Sequence, residues 1–195
     1  MTIPALPALL LGLLLFLGAH SASIVAPAWR DARAAQLGEP TWKGVYSLIS
    51  LTGFALLVWG WAGLRAQPVV LWTPPHGLHH LTLLLMLPVF PLLLAAHLPG
   101  RVQRAAKHPM LAATKLWALA HLLANGTLGD VLLFGGFLAW AVADRISVQR
   151  RAPRAIPSAP AGALNDAIAV VGGLALYVFF LFKGHAWLIG VSPLV

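Results

Sequence analysis

The chain contains no cysteine, which excludes disulfides, thiolate metal sites, iron–sulfur clusters and covalent c-type haem attachment. Any metal must therefore be held by nitrogen or oxygen. Charge is scarce as well: 9% of the 195 residues are Asp, Glu, Lys or Arg, against about 25% in soluble domains. Acidic residues are scarcest, 5 against 13 basic ones. What is abundant is apolar surface, with 59% hydrophobic residues and a mean hydropathy of +0.83. Several uninterrupted apolar stretches approach the ~20 residues of helix that cross a hydrocarbon layer. The composition describes an integral membrane protein, all-α, and not a soluble globular domain.

A net charge of +8 and a pI near 11.2 would suggest nucleic acid in a soluble protein. The distribution excludes it. Arg30, Arg33 and Lys43 form one cluster, Arg101, Arg104 and Lys107 a second, and Arg145, Arg150, Arg151 and Arg154 a third, each between apolar segments. A nucleic-acid groove needs a continuous basic face, whereas basic loops alternating with apolar runs are what membrane orientation requires. The expected partner is membrane lipid.

Six transmembrane helices are expected. The first, Ile3 to about Val25, ends at Pro27; it lacks the basic start of a signal peptide and exceeds the usual 7–15 apolar residues of one. The second covers roughly Val45 to Leu64, followed by a proline-rich interfacial loop holding Trp72. The third, about Leu78 to Leu98, contains Pro88 and Pro91, which should kink it and free carbonyls that neighbours must satisfy. The fourth runs from His108-Pro109 to about Ala124 and the fifth from Leu128 to Ala143, a hairpin turning at Asn125-Gly126-Thr127. Gly135, Ala139 and Ala143 recur every four residues on the fifth, a pattern that permits close packing. Residues 146–163 read as a flexible cytoplasmic linker, and the sixth helix starts at Asn165 or Asp166 as N-cap.

The chain is read as one transmembrane domain, 1–195. The three basic clusters fall in the first, third and fifth loops, and only Arg65 and Lys183 belong to the opposite side. The positive-inside rule then places those loops in the cytoplasm and both termini in the periplasm.

Eight histidines in so apolar a chain call for an explanation. At 1.5 Å per residue, His20 lies roughly 12 Å and His121 roughly 20 Å from the cytoplasmic boundary. Ionisable groups at such depths normally face the bundle interior and mark function. Two imidazoles on separate helices at overlapping depth match the donor set of a bis-histidine haem; as alternatives they are interhelical hydrogen-bond donors. The face of the fourth helix around His121 also presents Thr114, Trp117 and Asn125. Lys115, about 10 Å deep, either meets an acidic group or snorkels to the interface. His108 and His97 are boundary residues. His76, His79 and His80 cluster on the outer side without an acidic third ligand. Trp72, His185 and Trp187 read as interfacial anchors.

Five motifs in order carry a resemblance: Leu15-Phe16-Leu17-Gly18-Ala19-His20-Ser21, Tyr46-Ser47-Leu48-Ile49-Ser50-Leu51, Leu71-Trp72-Thr73-Pro74-Pro75, His108-Pro109-Met110-Leu111, and Lys115 through Gly126. In these the chain resembles the NnrU family over almost its whole length. The resemblance implies a bacterial inner (cytoplasmic) membrane protein associated with denitrification, the metabolism of nitrite and nitric oxide. The family is similar in turn to the 15-cis-zeta-carotene isomerases, membrane haem b proteins with histidine ligands. Their His-Ser and Ala-His motifs match His20-Ser21 and Ala120-His121, which implies haem b on His20 and His121, with His108, Lys115, Trp117 and Asn125 around them. A further isomerase histidine is replaced here in the Trp59-Gly60-Trp61 region. Two main readings follow: a haem b protein performing redox or isomerase-like chemistry, and a non-enzymatic accessory protein whose histidines are structural, either one engaging denitrification enzymes or a redox partner. A transporter would need paired broken helices around a midplane site.

Overall fold

The computed structural model describes residues 4–151 and 157–194, almost all of them helical or in the turns between helices, with no β-strand among the described residues. They fall into two compact units. The first takes the residues up to Pro74 and from His121 to the third basic cluster; the second takes Pro75–Ala120 and the residues from 157 on.

The first unit is built on α1 (Ala5–Val25), α2 (Pro27–Leu37), α3 (Glu39–Ala66) and α8 (Leu128–Ser147). Helices α1 and α3 run antiparallel with their backbones in contact. Gly12 abuts Leu57, Gly53 abuts Phe16 and Gly60 abuts Leu9, so residue numbers rise in one helix as they fall in the other. A Cβ on Gly53 would lie 2.6 Å from the Phe16 nitrogen. Gly53 and Gly60 stand seven residues apart, two turns of helix, and so share a face. In hydrocarbon, where apolar side chains gain nothing by leaving lipid, such close approach is what drives helices together.

This seam, and not the small-residue repeat on α8, is the tight contact. Gly135 faces open space, Ala139 and Ala143 are exposed, and α8 instead meets Leu13 and Leu17 of α1 through Gly136. The first basic loop is itself largely helical. Pro27, which terminates α1, occupies the first turn of α2, where its missing N–H costs nothing, and Gly38 at φ 81° ends that helix. The proline-rich segment after α3 is tied down: Leu71 and Trp72 donate to the Gly126 carbonyl (2.8 and 3.2 Å), and Leu128 donates to Val69 (2.8 Å). Gly126 lies so close to the Trp72 carbonyl that any side chain there would overlap it.

The second unit contains α4 (Leu78–Met86), α5 (Val89–Ala95), α6 (Arg101–Ala106), α7 (Pro109–Ala124, whose last turn from His121 belongs to the first unit) and α9 (Asn165–Ile189). The expected proline kink is a break between α4 and α5 at Leu87-Pro88. Leu87 turns back to the Leu84 carbonyl (3.3 Å), and the Leu83 carbonyl accepts the Tyr177 hydroxyl of α9 (3.1 Å). Gly173 lets α9 approach Pro91 at van der Waals distance. Helix α9 carries two wide turns, Ile168–Gly172 and Phe180–Gly184, where hydrogen bonding shifts from i→i+4 to i→i+5.

Asn165 and Asp166 do not cap their own helix. Asp166 accepts from the Arg101 and Val102 amides (both 2.9 Å), capping α6, while the Asn165 amide donates to Pro99 and Pro160 (2.9 and 3.0 Å). The exit of the expected linker is thereby fixed, with His97 holding Pro157 and Ala159 (both 2.9 Å). Its residues 152–156 lie outside the described residues.

Four helices are long and apolar enough to cross a membrane: Ala5–Val25, Glu39–Ala66, Leu78–Ala95 and Asn165–Ile189. Helix α7 is apolar but has only 16 residues. Helix α8 has 20 residues but carries Asp130, Asp144 and Arg145.

Candidate functional site

His20 sits in the last two turns of α1 at a junction of three helices of the first unit. Its Nδ1 hydrogen-bonds the Phe16 carbonyl one turn back (2.7 Å). Its ring packs on Phe16 (centroids 4.4 Å apart), on Tyr46 of α3 (5.1 Å), and at right angles to Trp140 of α8 (5.9 Å). The backbone bond fixes the ring and its tautomer, because a carbonyl accepts only from a protonated Nδ1. Nε2 is then the unprotonated nitrogen, the one able to coordinate a metal, in the arrangement second-shell carbonyls impose on ligating histidines. Trp140 Nε1 is buried with no hydrogen-bond acceptor. Ser21 returns its hydroxyl to the Leu17 carbonyl (2.6 Å) and takes no part.

A cavity of about 280 Å³ opens beside His20, walled by Ala19, Ala22 and Ser23 of α1, Arg30 of α2, and Trp42, Lys43 and Tyr46 of α3. Arg30 stacks over Trp42 (5.5 Å). Nearby, Arg151 links α8 to α1, placing one nitrogen 2.9 Å from the buried Asp144 carboxylate and donating another to the Ser23 carbonyl (2.7 Å).

His121 occupies the last turn of α7 and stacks on Phe134 of α8 (4.6 Å, planes 29° apart). The two histidines thus meet α8 at Phe134 and Trp140, six residues apart. That is about 9 Å along the axis, on faces about 120° apart. The Asn125 amide donates to the His121 carbonyl (2.9 Å) and serves the helix end. Lys115, Trp117 and His108 are half-buried in the second unit and do not line the cavity. The His108 carbonyl starts α7 by accepting from Ala112 (3.0 Å), directly after Lys107, which holds a strained φ of 58°. His79 and His80 pack ring to edge (5.9 Å) at the start of α4. No cluster of three or more metal-ligating side chains occurs among the described residues.

Sequence reasoning passed over Asp130, which is 4% exposed. Its carboxylate accepts from Trp61 Nε1 (2.9 Å) and from Thr127 Oγ1 (2.6 Å), while Thr127 caps α8 by accepting from the Asp130 amide (3.3 Å). The signal was present as Thr127-x-x-Asp130 ahead of an apolar run, a helix-start pattern. Trp140, Tyr46 and Asp144 were also missed; a carboxylate in an apolar helix is the signal for the last.

Long apolar helices joined by basic turns, with an anchored imidazole among aromatics, define a polytopic helical membrane protein. Its family is equally clear: the NnrU protein family model matches residues 8–193, and the chain belongs to that family. No curated protein and no solved structure matches it.

Proposed function

We propose that the protein is a six-span inner-membrane haem b protein of bacterial denitrification, with His20 as the fixed iron ligand and His121 as the second. One observation carries this reading: His20 has its Nδ1 anchored to the Phe16 carbonyl, which leaves Nε2 as the lone-pair nitrogen of the neutral ring, inside a cage of Phe16, Tyr46 and Trp140. The donor set suits haem iron, which takes imidazole nitrogen as its axial ligand. His121, stacked on Phe134 of α8 in the same unit, would supply the second imidazole. Bound haem would supply one-electron chemistry directed at nitric-oxide or polyene substrates. The chain's part is to hold the His20 tautomer through Phe16, to pack the ring against Tyr46 and Trp140, and to keep the Asp144–Arg151 pair beside the site.

Six spans with both termini periplasmic follow from adding α7 and α8 to the four long helices and placing the basic clusters in the cytoplasm. Because the chain has no cysteine, single cysteines report topology directly. Gln36→Cys and Gln149→Cys should react only from the cytoplasmic side, and Ser192→Cys only from the periplasmic side; any exchange of sides refutes this topology.

The accessory reading rests on the two aromatic stacks, which already give each imidazole a packing role. Absorption spectra of detergent-purified protein, oxidised and dithionite-reduced, separate the two readings. A b-type spectrum lost in the His20→Ala/His121→Ala double variant supports haem. Colourless, well-folded protein from haem-sufficient cells leaves the accessory role.

A further inference from the structure

The geometry points to a second ligand: the cavity beside His20 receives the anionic headgroup of a phospholipid, whose tails stay in the surrounding leaflet. The proposal does not depend on iron at His20. The cavity's polar lining comes from two cations, Arg30 and Lys43, with His20, Tyr46 and Ser23, and no carboxylate lines it; Lys43 pairs outside it with exposed Glu39 (3.3 Å). Arg30 is the informative residue. Its side chain is only 20% exposed, yet its carboxylate neighbours Asp31 (3.1 Å) and Glu39 (4.0 Å) are 55% and 57% exposed. Ion pairs to such exposed partners are weak, and a guanidinium has five N–H donors, so most of its capacity faces no protein acceptor of comparable burial.

The size fits a headgroup. About 280 Å³ is below the 300–1,000 Å³ of pockets that enclose whole ligands, so a long-chain amphiphile would leave its tails outside. Those tails have somewhere to lie: Val25 beyond the cavity on α1, and Val45 and Leu48 on α3, are exposed apolar side chains. Trp42, in the wall, meets Trp29 edge to face (6.0 Å), the aromatic pairing found at headgroup depth. Basic pockets between apolar helices select anionic lipid in this way, each cation contributing roughly fivefold in affinity.

The test uses the full-length protein in mixed micelles, with retained lipid counted by native mass spectrometry against phosphatidylglycerol or phosphatidylcholine of identical chains. Phosphatidylglycerol should be retained preferentially. The preference should fall about fivefold in each of Arg30→Gln and Lys43→Gln, and stay unchanged in Arg33→Gln, whose side chain hydrogen-bonds exposed Gln36 and does not line the cavity. Lys43 is 70% exposed, so its substitution leaves folding intact. Equal retention of both lipids, or an equal loss in Arg33→Gln, would overturn the proposal in favour of diffuse surface charge. Displacement of the lipid by millimolar inorganic phosphate would reassign the cavity to a free anion. Haem absorbance recorded on the same samples keeps the two ligands apart. Lipid preference lost with the spectrum intact supports the proposal, whereas joint loss of both would assign the cations to haem carboxylates and overturn it.

Discussion

The two ends of the first unit treat their buried polar groups in opposite ways. At the Asp130 end both carboxylate oxygens are matched, by Trp61 and Thr127, Thr127 caps α8, and the Val69–Trp72 segment closes on Gly126. At the His20 end Trp140 Nε1 is buried with no acceptor among the described residues, and a cavity lined by Arg30, Lys43 and His20 itself opens beside the ring. Buried polar groups are almost always paired. The first end is therefore closed structure, and the second is the one to which the proposed ligand is assigned.

The sharpest way to break this contrast is to remove the scaffold both ends share. Gly60→Leu forces a side chain into the Leu9 backbone and should cost more than ~3 kcal/mol, beyond ordinary overpacking, seen as loss of monodisperse protein in detergent. At the closed end, Asp130→Ala strands the Trp61 and Thr127 donors and should lower stability by about 1–3 kcal/mol in thermal denaturation. Asp130→Asn, which keeps an acceptor, should recover part of that. Tyr177→Phe offers a reference in the second unit: leaving the Leu83 carbonyl without its 3.1 Å donor should cost about 0.5–1.5 kcal/mol. The smallest effect belongs to the open end. Trp140→Phe removes a buried N–H with no partner, a relief that offsets the packing lost with the smaller ring, so the net cost should be about 0.5 kcal/mol, while any ligand spectrum is altered. A cost as large as that of Asp130→Ala would erase the distinction between the ends.

Much of this architecture was legible in the sequence because apolar runs and basic turns follow directly from what a bilayer permits. The break at Leu87-Pro88 could be read from proline chemistry, although which hydroxyl repairs it could not: Tyr177 is distant in sequence and is placed by α9 packing on Pro91. The tight α1–α3 seam was missed because it uses a two-turn glycine spacing, while the four-residue repeat on α8 suggested a contact that does not form. Pro27 reads in sequence as the end of the first helix, yet Pro27 and Gly38 are equally the start and stop of a second one. Asn165 or Asp166 reads in sequence as a cap for the helix it precedes, and local pattern cannot reveal that a cap serves another helix. Depth alone singles out His20 and His121 as candidates in the sequence. Their distinct aromatic partners on α8 depend on tertiary packing and could not be read.

That difference between the two histidines gives the most direct test of the central claim. The measurement is the oxidised and reduced absorption spectrum, with low-temperature electron paramagnetic resonance, of His20→Ala and His121→Ala taken separately. The account predicts that His20→Ala abolishes the b-type spectrum, while His121→Ala retains haem but shifts it from low to high spin, because the Phe16 carbonyl already holds the His20 ring with Nε2 as its free lone-pair nitrogen. Haem retained in His20→Ala and lost in His121→Ala would contradict it.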